Sequence, residues 1–541
     1  MTRLIALLDT RHPKLLLAAF CLALWLPGIL SVPPSDRDES RFAQATKQMI
    51  ETGDYVTIRN GAEARNRKPI GIYWLQVPGV AAARALGIST TNPIWPYRIP
   101  SLLGALMAVL ATHAIGVRLA DRRAAMLAAA MLGGCVLLTV EANIAKTDAM
   151  LAGLTTLAMS MLARAYLDRH LTTARAALFW LAMGLGILVK GPVMPMVAGL
   201  TVLALVILDR RAAWLRCLRA GWGVPLTLAV VLPWFVAIGL ATHGQFFRDA
   251  VGGDLGAKLA GGDDAHGAPP GYHTVMIFLT LFPVAPAVVF ALPDAWVLRR
   301  EPATRFLLAW IVPAWLVFEA VPTKLPHYIL PMLPALCLLG AAWAVRATRA
   351  PPKWLSVPVW TLFGIAALVI AGGASALPFL PRPGLSWTLL LGLPALAAIM
   401  LLAWRTACAT DRLKRCLAAL AFMPLVTWSV LGIDVAHDTP LWIAPRIAAI
   451  RASIGPDAPL AAVGFAEPSL PFLAGTSTQL LSGGAAGARF LAEGTGRVLA
   501  VESRDLAAFN TANHAASRIV GEVDGFNYSN GHRIAITVFA D

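Results

Sequence analysis

Apolar and polar positions fall in long blocks along this chain. Runs of about twenty mainly apolar residues, the length that crosses a hydrocarbon core, recur near 12–32, 99–119, 123–141, 149–167, 176–190, 193–209, 221–242, 273–293, 303–321, 327–346, 354–378, 384–404 and 414–434. The pattern predicts an all-α polytopic membrane domain of about thirteen spans over residues 1–436. Its fifth and sixth runs are short and divided only by Lys190-Gly191-Pro192. Beyond residue 437 the period changes. Runs such as Leu460-Ala461-Ala462-Val463 and Val498-Leu499-Ala500-Val501, broken by Gly, Pro and Ser, predict a small soluble α/β domain over 437–541. Two connections between spans are long, 33–98 and 243–272. In the first, residues 41–50 have the amphipathic helical period of a segment lying on a membrane surface, and 71–87 form a second, apolar interfacial stretch.

Charge supports the membrane reading and orients it. Only 14% of the residues are charged, against about 25% in soluble domains. The net charge of +15 could point to nucleic acid, but the cations gather in every second short loop. Arg118, Arg122 and Arg123, then Arg164, Arg169 and Arg175, then Arg210, Arg211, Arg216 and Arg219 follow spans two, four and six. This is the positive-inside pattern, with the N-terminus inside and the C-terminal domain outside. No aromatic-interleaved basic patch accompanies it, so nucleic acid is not an expected partner. The first apolar run lacks a clear small-residue cleavage site and reads as a retained span. Six scattered cysteines form no metal or redox motif.

The candidate chemistry is one-sided. Asp36, Asp38, Glu39, Arg41, Lys68, Glu141, Lys146, Asp148, Lys190, His266, Lys324, His327 and Tyr328 all fall in outer loops or at outer span ends. Ionisable groups beside hydrocarbon are costly, and this many together suit an anionic lipid bound near a carboxylate. Transfer of a sugar from a lipid phosphate has matching needs. Cations must stabilise the departing phosphate, here Arg41, Lys68 and Lys258, and a carboxylate must take the acceptor's proton and align its attack, here Asp38. A single carboxylate acting from the far side of the ring would invert the anomeric centre.

Asp38-Glu39-Ser40-Arg41, Lys68-Pro69 leading into Tyr73-Trp74-Leu75, Lys190-Gly191-Pro192, and Lys324-Leu325-Pro326-His327-Tyr328 occur in an order that resembles the motif series of GT-C integral-membrane glycosyltransferases. The nearest likeness is to the aminoarabinose transferase and protein O-mannosyltransferase-like group. The resemblance implies a polyprenyl-phosphate-linked sugar donor and an envelope acceptor, a glycolipid such as lipid A before a protein. It also implies catalytic roles for Asp38 with its neighbour Glu39, Asp148 as a second acidic position, and Arg41, Lys68 and Tyr328 near the donor phosphate. Arg67, Tyr73, Lys190, His266, Lys324 and His327 are further candidates for substrate contact. Two departures stand out. Arg67 occupies the place where such proteins often have a Glu that contributes to a metal site, which puts a divalent metal in doubt. Asp254 and Lys258 stand where a His-x-x-x-Arg-like pattern is usual, with His266 as a substitute ligand or acceptor contact. The rival readings are a transporter or flippase, and a non-catalytic scaffold in which the acidic motif caps an interfacial helix.

Overall fold

The computed structural model describes residues 10–88, 93–256, 267–346, 351–376, 388–407, 412–434, 440–514 and 516–541. Each apolar run of the sequence is helical there. Among the described residues, 10 helices are long and apolar enough to cross a membrane, or up to 11 if one bent pair is a single span. Val193–Asp209 and Ala285–Val297 are apolar but shorter.

Two runs that read as continuous are broken. Residues 123–141 become Arg122–Gly133 and Val136–Ala142, bent by 60°. The break falls at Gly133-Gly134, the residues least costly to release from a helix, and Cys135 beyond them is extended. Residues 273–293 divide into Tyr272–Thr280 and Ala285–Val297, where Pro283 has no amide hydrogen to continue the ladder. The first break turns the short helix ending at Ala142 so that Glu141 and Lys146 meet Asp148.

Close packing fixes where Asp148 stands. Helix Trp95–Leu119 lies against Asp148–Leu167, and a Cβ on Gly104 would sit 2.4 Å from the Met150 Cα. Only glycine permits that approach. Ser101 Oγ then donates to the Ile144 carbonyl at 2.6 Å, tying the loop before Asp148 to the same helix.

Beyond residue 440 the expected α/β pattern is present as a five-stranded sheet. Its spatial order is Gln479–Leu481, Leu460–Val463, Val498–Glu502, His532–Ala540, Arg518–Asn527. The first three strands are parallel and the last two antiparallel. Leu460–Val463 and Val498–Glu502 are buried throughout, as central parallel strands covered on both faces should be.

The amphipathic segment at 41–50 is a helix, Asp38–Thr52, beginning three residues earlier. It does not simply lie on a surface, because the C-terminal region covers its polar face. Gln44, Thr46 and Lys47 are buried; Gln44 donates to Thr476 Oγ1 at 2.9 Å and Lys47 to the Phe472 carbonyl at 3.0 Å. Phe472 itself enters an apolar pocket of Ala43, Val80, Ile94, Tyr97 and Ala145, edge-on to Tyr97 at 5.3 Å between ring centres. Phe472→Ala should therefore cost about 3–5 kcal/mol, the usual range for deleting a buried aromatic ring. The expected outcome is faster protease cleavage between the last span and the sheet, with the membrane helices still folded.

Candidate active site

Between the first long loop, the adjoining span ends and the C-terminal region lies a cavity of about 1090 Å³. Its lining includes Asp36, Asp38, Arg41, Arg65, Arg67, Lys68, Lys146, Asp148, Lys190, Asp249, His327, Tyr328 and Glu467. Residues from Ser35 to Glu467 thus converge on one space.

Asp38 is the first residue of its helix and is exposed to the cavity. An acidic residue there faces the positive end of the helix dipole. It lies within electrostatic reach of both Arg41 and Lys146. Arg37 before it has φ 64° and ψ −111°, a backbone region that non-glycine residues seldom occupy.

Glu39 differs from its neighbour. It is 1% exposed; its Oε1 accepts from Arg98 Nε at 2.8 Å and the Ala145 amide at 2.8 Å. Its Oε2 accepts from Arg98 Nη2 at 3.0 Å, the Ser35 amide at 2.9 Å and Ser35 Oγ at 2.8 Å. Burial alone would raise its pKa, but the Arg98 guanidinium and these donors outweigh it and hold the carboxyl below its ordinary value. With both oxygens saturated it has no lone pair left for a substrate proton. The geometry argues against the catalytic role given to Glu39 by resemblance, since it is an internal tie.

Two groups of cations flank Asp38. Arg41, Arg65 and Arg67 form one. Burial and the nearby Arg65 guanidinium lower the Arg41 pKa, with Asp38 and Glu467 pulling the other way and Arg67 adding to the lowering. Arg65 is seated by Tyr73 Oη, to which its Nε donates at 3.3 Å, and by the Phe42 ring 4.9 Å below it. Tyr73 is therefore behind the wall, supporting Arg65. The second group surrounds Asp148. Lys190 is ion-paired with it, Lys146 Nζ is 3.7 Å away and His327 Nε2 3.8 Å; Lys146 also pairs with Glu141 at 3.0 Å. Burial would lower the Lys146 pKa, but Glu141, Asp148 and Asp38 hold it above the ordinary lysine value. The Tyr328 ring lies 5.7 Å from Lys190 Nζ.

Lys324 departs from the expected set. Its ammonium is buried and donates to the carbonyls of Ala268 and Val321 at 2.9 and 2.8 Å, so it holds loops together outside the cavity lining. Lys258 and His266 lie outside the described residues. Glu141 and Lys146 stood among the outer polar residues without an assigned role. Arg65, Arg98, Asp249 and Glu467 carried no signal except that Arg98 is a charge at the very edge of an apolar run. Asp249 accepts from Asn66 Nδ2 at 2.9 Å, joining the second long loop to the segment that carries Lys68.

Among the described residues the donor set does not fit a divalent metal. Among the described residues no three His, Cys, Asp or Glu side chains form a metal-holding group, and Asp148 and Glu141 are already engaged by lysines.

The C-terminal region closes one side of the cavity. Tyr528 Oη meets the Asp36 amide at 2.6 Å, and Arg37 Nη2 is bonded to the Ser529 carbonyl. Burial, with Glu467 adding to it, raises the Asp36 pKa to about 6, against hydrogen bonds from Ser469 and Tyr528. Between about pH 4 and 6 the folded form binds more protons than the unfolded one, so stability falls as pH rises through that window. The melting temperature should drop between about pH 4 and 6, and Asp36→Asn should flatten that part of the profile.

Known proteins share parts of this sequence and its fold. The family described as dolichyl-phosphate-mannose-protein mannosyltransferase matches residues 68–236. An undecaprenyl phosphate-alpha-4-amino-4-deoxy-L-arabinose arabinosyl transferase of Pseudomonas paraeruginosa is 28% identical over 354 residues, 64% of this chain and 61% of that protein. One from Pseudomonas fluorescens is 29% identical over 402 residues, 72% of this chain and 65% of that protein. The chain thus spans 61% of the length of the first of these relatives. Among solved structures, ArnT from Cupriavidus metallidurans bound to undecaprenyl phosphate superposes with a TM-score of 0.75 over 97% of both chains, at 20% identity. The fold is that of the GT-C membrane glycosyltransferases. Within that class, the curated relatives it resembles are aminoarabinose transferases, at 28 and 29% identity.

Proposed function

We propose that this protein is an inverting glycosyltransferase that moves a sugar from a polyprenyl-phosphate donor to an envelope acceptor, a glycolipid such as lipid A. The observation that carries the reading is a single exposed carboxylate, Asp38, set between two cation groups in one cavity. The donor phosphate lies against Arg41, Lys68, Lys190 and Tyr328, with Arg65 and Arg67 available to the anionic part of the acceptor. Asp38 takes the proton of the acceptor hydroxyl as its oxygen attacks the anomeric carbon. The bond from that carbon to the phosphate oxygen breaks, and polyprenyl phosphate leaves with the electron pair, its charge stabilised by the lysines. A phosphate acceptor brings no proton to remove, and Asp38 then only orients it.

The relatives named above act from undecaprenyl phosphate-alpha-4-amino-4-deoxy-L-arabinose, which makes that donor the first to test. The loop charges support an inner-membrane orientation with the N-terminus cytoplasmic and the cavity and sheet periplasmic. The test supplies purified protein with a panel of polyprenyl-phosphate sugars and an envelope-lipid extract, and follows free polyprenyl phosphate. Release from at least one donor, dependent on acceptor, is the expected result. Absence of release from every donor would return the protein to the transporter or scaffold readings.

A further inference from the structure

Arg98 is 1% exposed, as buried as any apolar core residue, and every arm of its guanidinium is used. Nε and Nη2 grip the two Glu39 oxygens at 2.8 and 3.0 Å, the bidentate geometry that makes arginine–carboxylate pairs directional. Nη1 donates to the Ile29 and Val32 carbonyls at 3.1 and 2.8 Å, and Nη2 to the Pro33 carbonyl at 3.1 Å. Those carbonyls end the first span, where no helical amide is left to satisfy them. Glu39 in turn holds the Ser35 turn and the Ala145 amide beside Lys146. One ion pair therefore joins the end of the first span, the turn at Pro33–Arg37, the first turn of the motif helix and the loop that presents Lys146.

Asp38 stands between these fixed points. The residue before it has the strained φ of 64°, a conformation that persists only where the surroundings over-determine it. Tyr528 and Ser529 press on the same turn from the sheet side.

We propose that Arg98 and Glu39 are positioning residues that aim the Asp38 carboxylate into the cavity, between the two cation groups. The proposal rests on the transferase reading for its kinetic consequence but not for its geometric one. Neither residue touches the substrate. Their loss should move Asp38 without removing a donor contact, and displacement of a catalytic group by about 1 Å can cost on the order of 100-fold in rate.

The experiment uses the full chain in lipid nanodiscs with Arg98→Lys, which keeps the charge but not the fork, and Glu39→Gln, which keeps the size but not the charge. The expected result is a kcat lowered at least about 50-fold in a variant that still melts cooperatively, with KM for the polyprenyl-phosphate donor within about twofold of wild type. Unchanged kcat in a folded variant, or a loss shared equally between kcat and donor binding, would overturn the proposal. A second readout needs no turnover. Asp38→Cys places a thiol among Arg41 and Lys146, which should lower its pKa below the usual ~8.5, read as the pH profile of alkylation of the residue-38 peptide by mass spectrometry. Adding Arg98→Lys should shift that profile back toward 8.5 by at least about half a unit. An identical profile in both backgrounds refutes positioning even in a protein that transfers no sugar, whereas a shifted profile without turnover refutes only the transferase reading.

Discussion

Asp38→Asn is expected to slow sugar transfer roughly 10²- to 10⁴-fold, the range lost when a positioned general base is removed. Asn keeps the size of the side chain and its ability to cap the helix, so the protein should fold and melt as before. It loses the charge between Arg41 and Lys146 and the ability to accept a proton from the acceptor. Lys68→Ala provides the contrast. A lysine on the donor phosphate contributes in both the ground state and the transition state, so its loss should raise the KM for the donor at least as much as it lowers kcat. Steady-state release of polyprenyl phosphate, measured for both variants, separates the two. Full activity in Asp38→Asn would leave the motif with the capping role alone and would favour a scaffold.

Asp148→Asn is expected to be the most damaging single change to stability near the cavity. Asp148 is 5% exposed and is the shared counter-ion of Lys190, Lys146 and His327. Without it Lys190 and Lys146 lose their shared counter-ion, while Lys146 keeps Glu141 at 3.0 Å. Removing one partner of a buried ion pair typically costs about 3–5 kcal/mol, because the other charge stays desolvated. The melting temperature should fall sharply, and bound polyprenyl phosphate should restore part of it by replacing the missing negative charge. The double change Asp148→Asn with Lys190→Met removes one orphaned cation together with its partner and should recover stability but not donor binding. If Asp148→Asn melts like wild type, the cluster contributes little to the fold and its charges serve the substrate alone.

The division between Asp38 and Glu39 illustrates what adjacent residues in a sequence conceal. Both are acids in one motif and both looked catalytic. Successive residues on a helix point about 100° apart, so one carboxylate faces the cavity and the other the protein interior. Which faces which is decided by Arg98, 59 residues further on. Lys324 shows the same limit, since its motif neighbours His327 and Tyr328 reach the cavity while its own ammonium turns to backbone carbonyls.

The sequence by itself determined the membrane character, the helical segments, the sheet after residue 440 and the side on which the polar residues collect. These follow from hydrophobic period and from the cost of charge in hydrocarbon, which act locally along the chain. It also marked Asp38, Arg41, Lys68 and Lys190 through an ordered motif series, and Asp148 as a second acidic position. Only the tertiary structure decided that Arg65, Asp249 and Glu467 line the same cavity, that the sheet covers the motif helix through Phe472, and that Glu39 is spent on Arg98. Those outcomes depend on contacts between segments tens to hundreds of residues apart, such as Asp36 with Tyr528, 492 positions away. No local period encodes such a pairing; it is fixed by which helices can approach closely, as at Gly104, and by which buried charges find partners once they do.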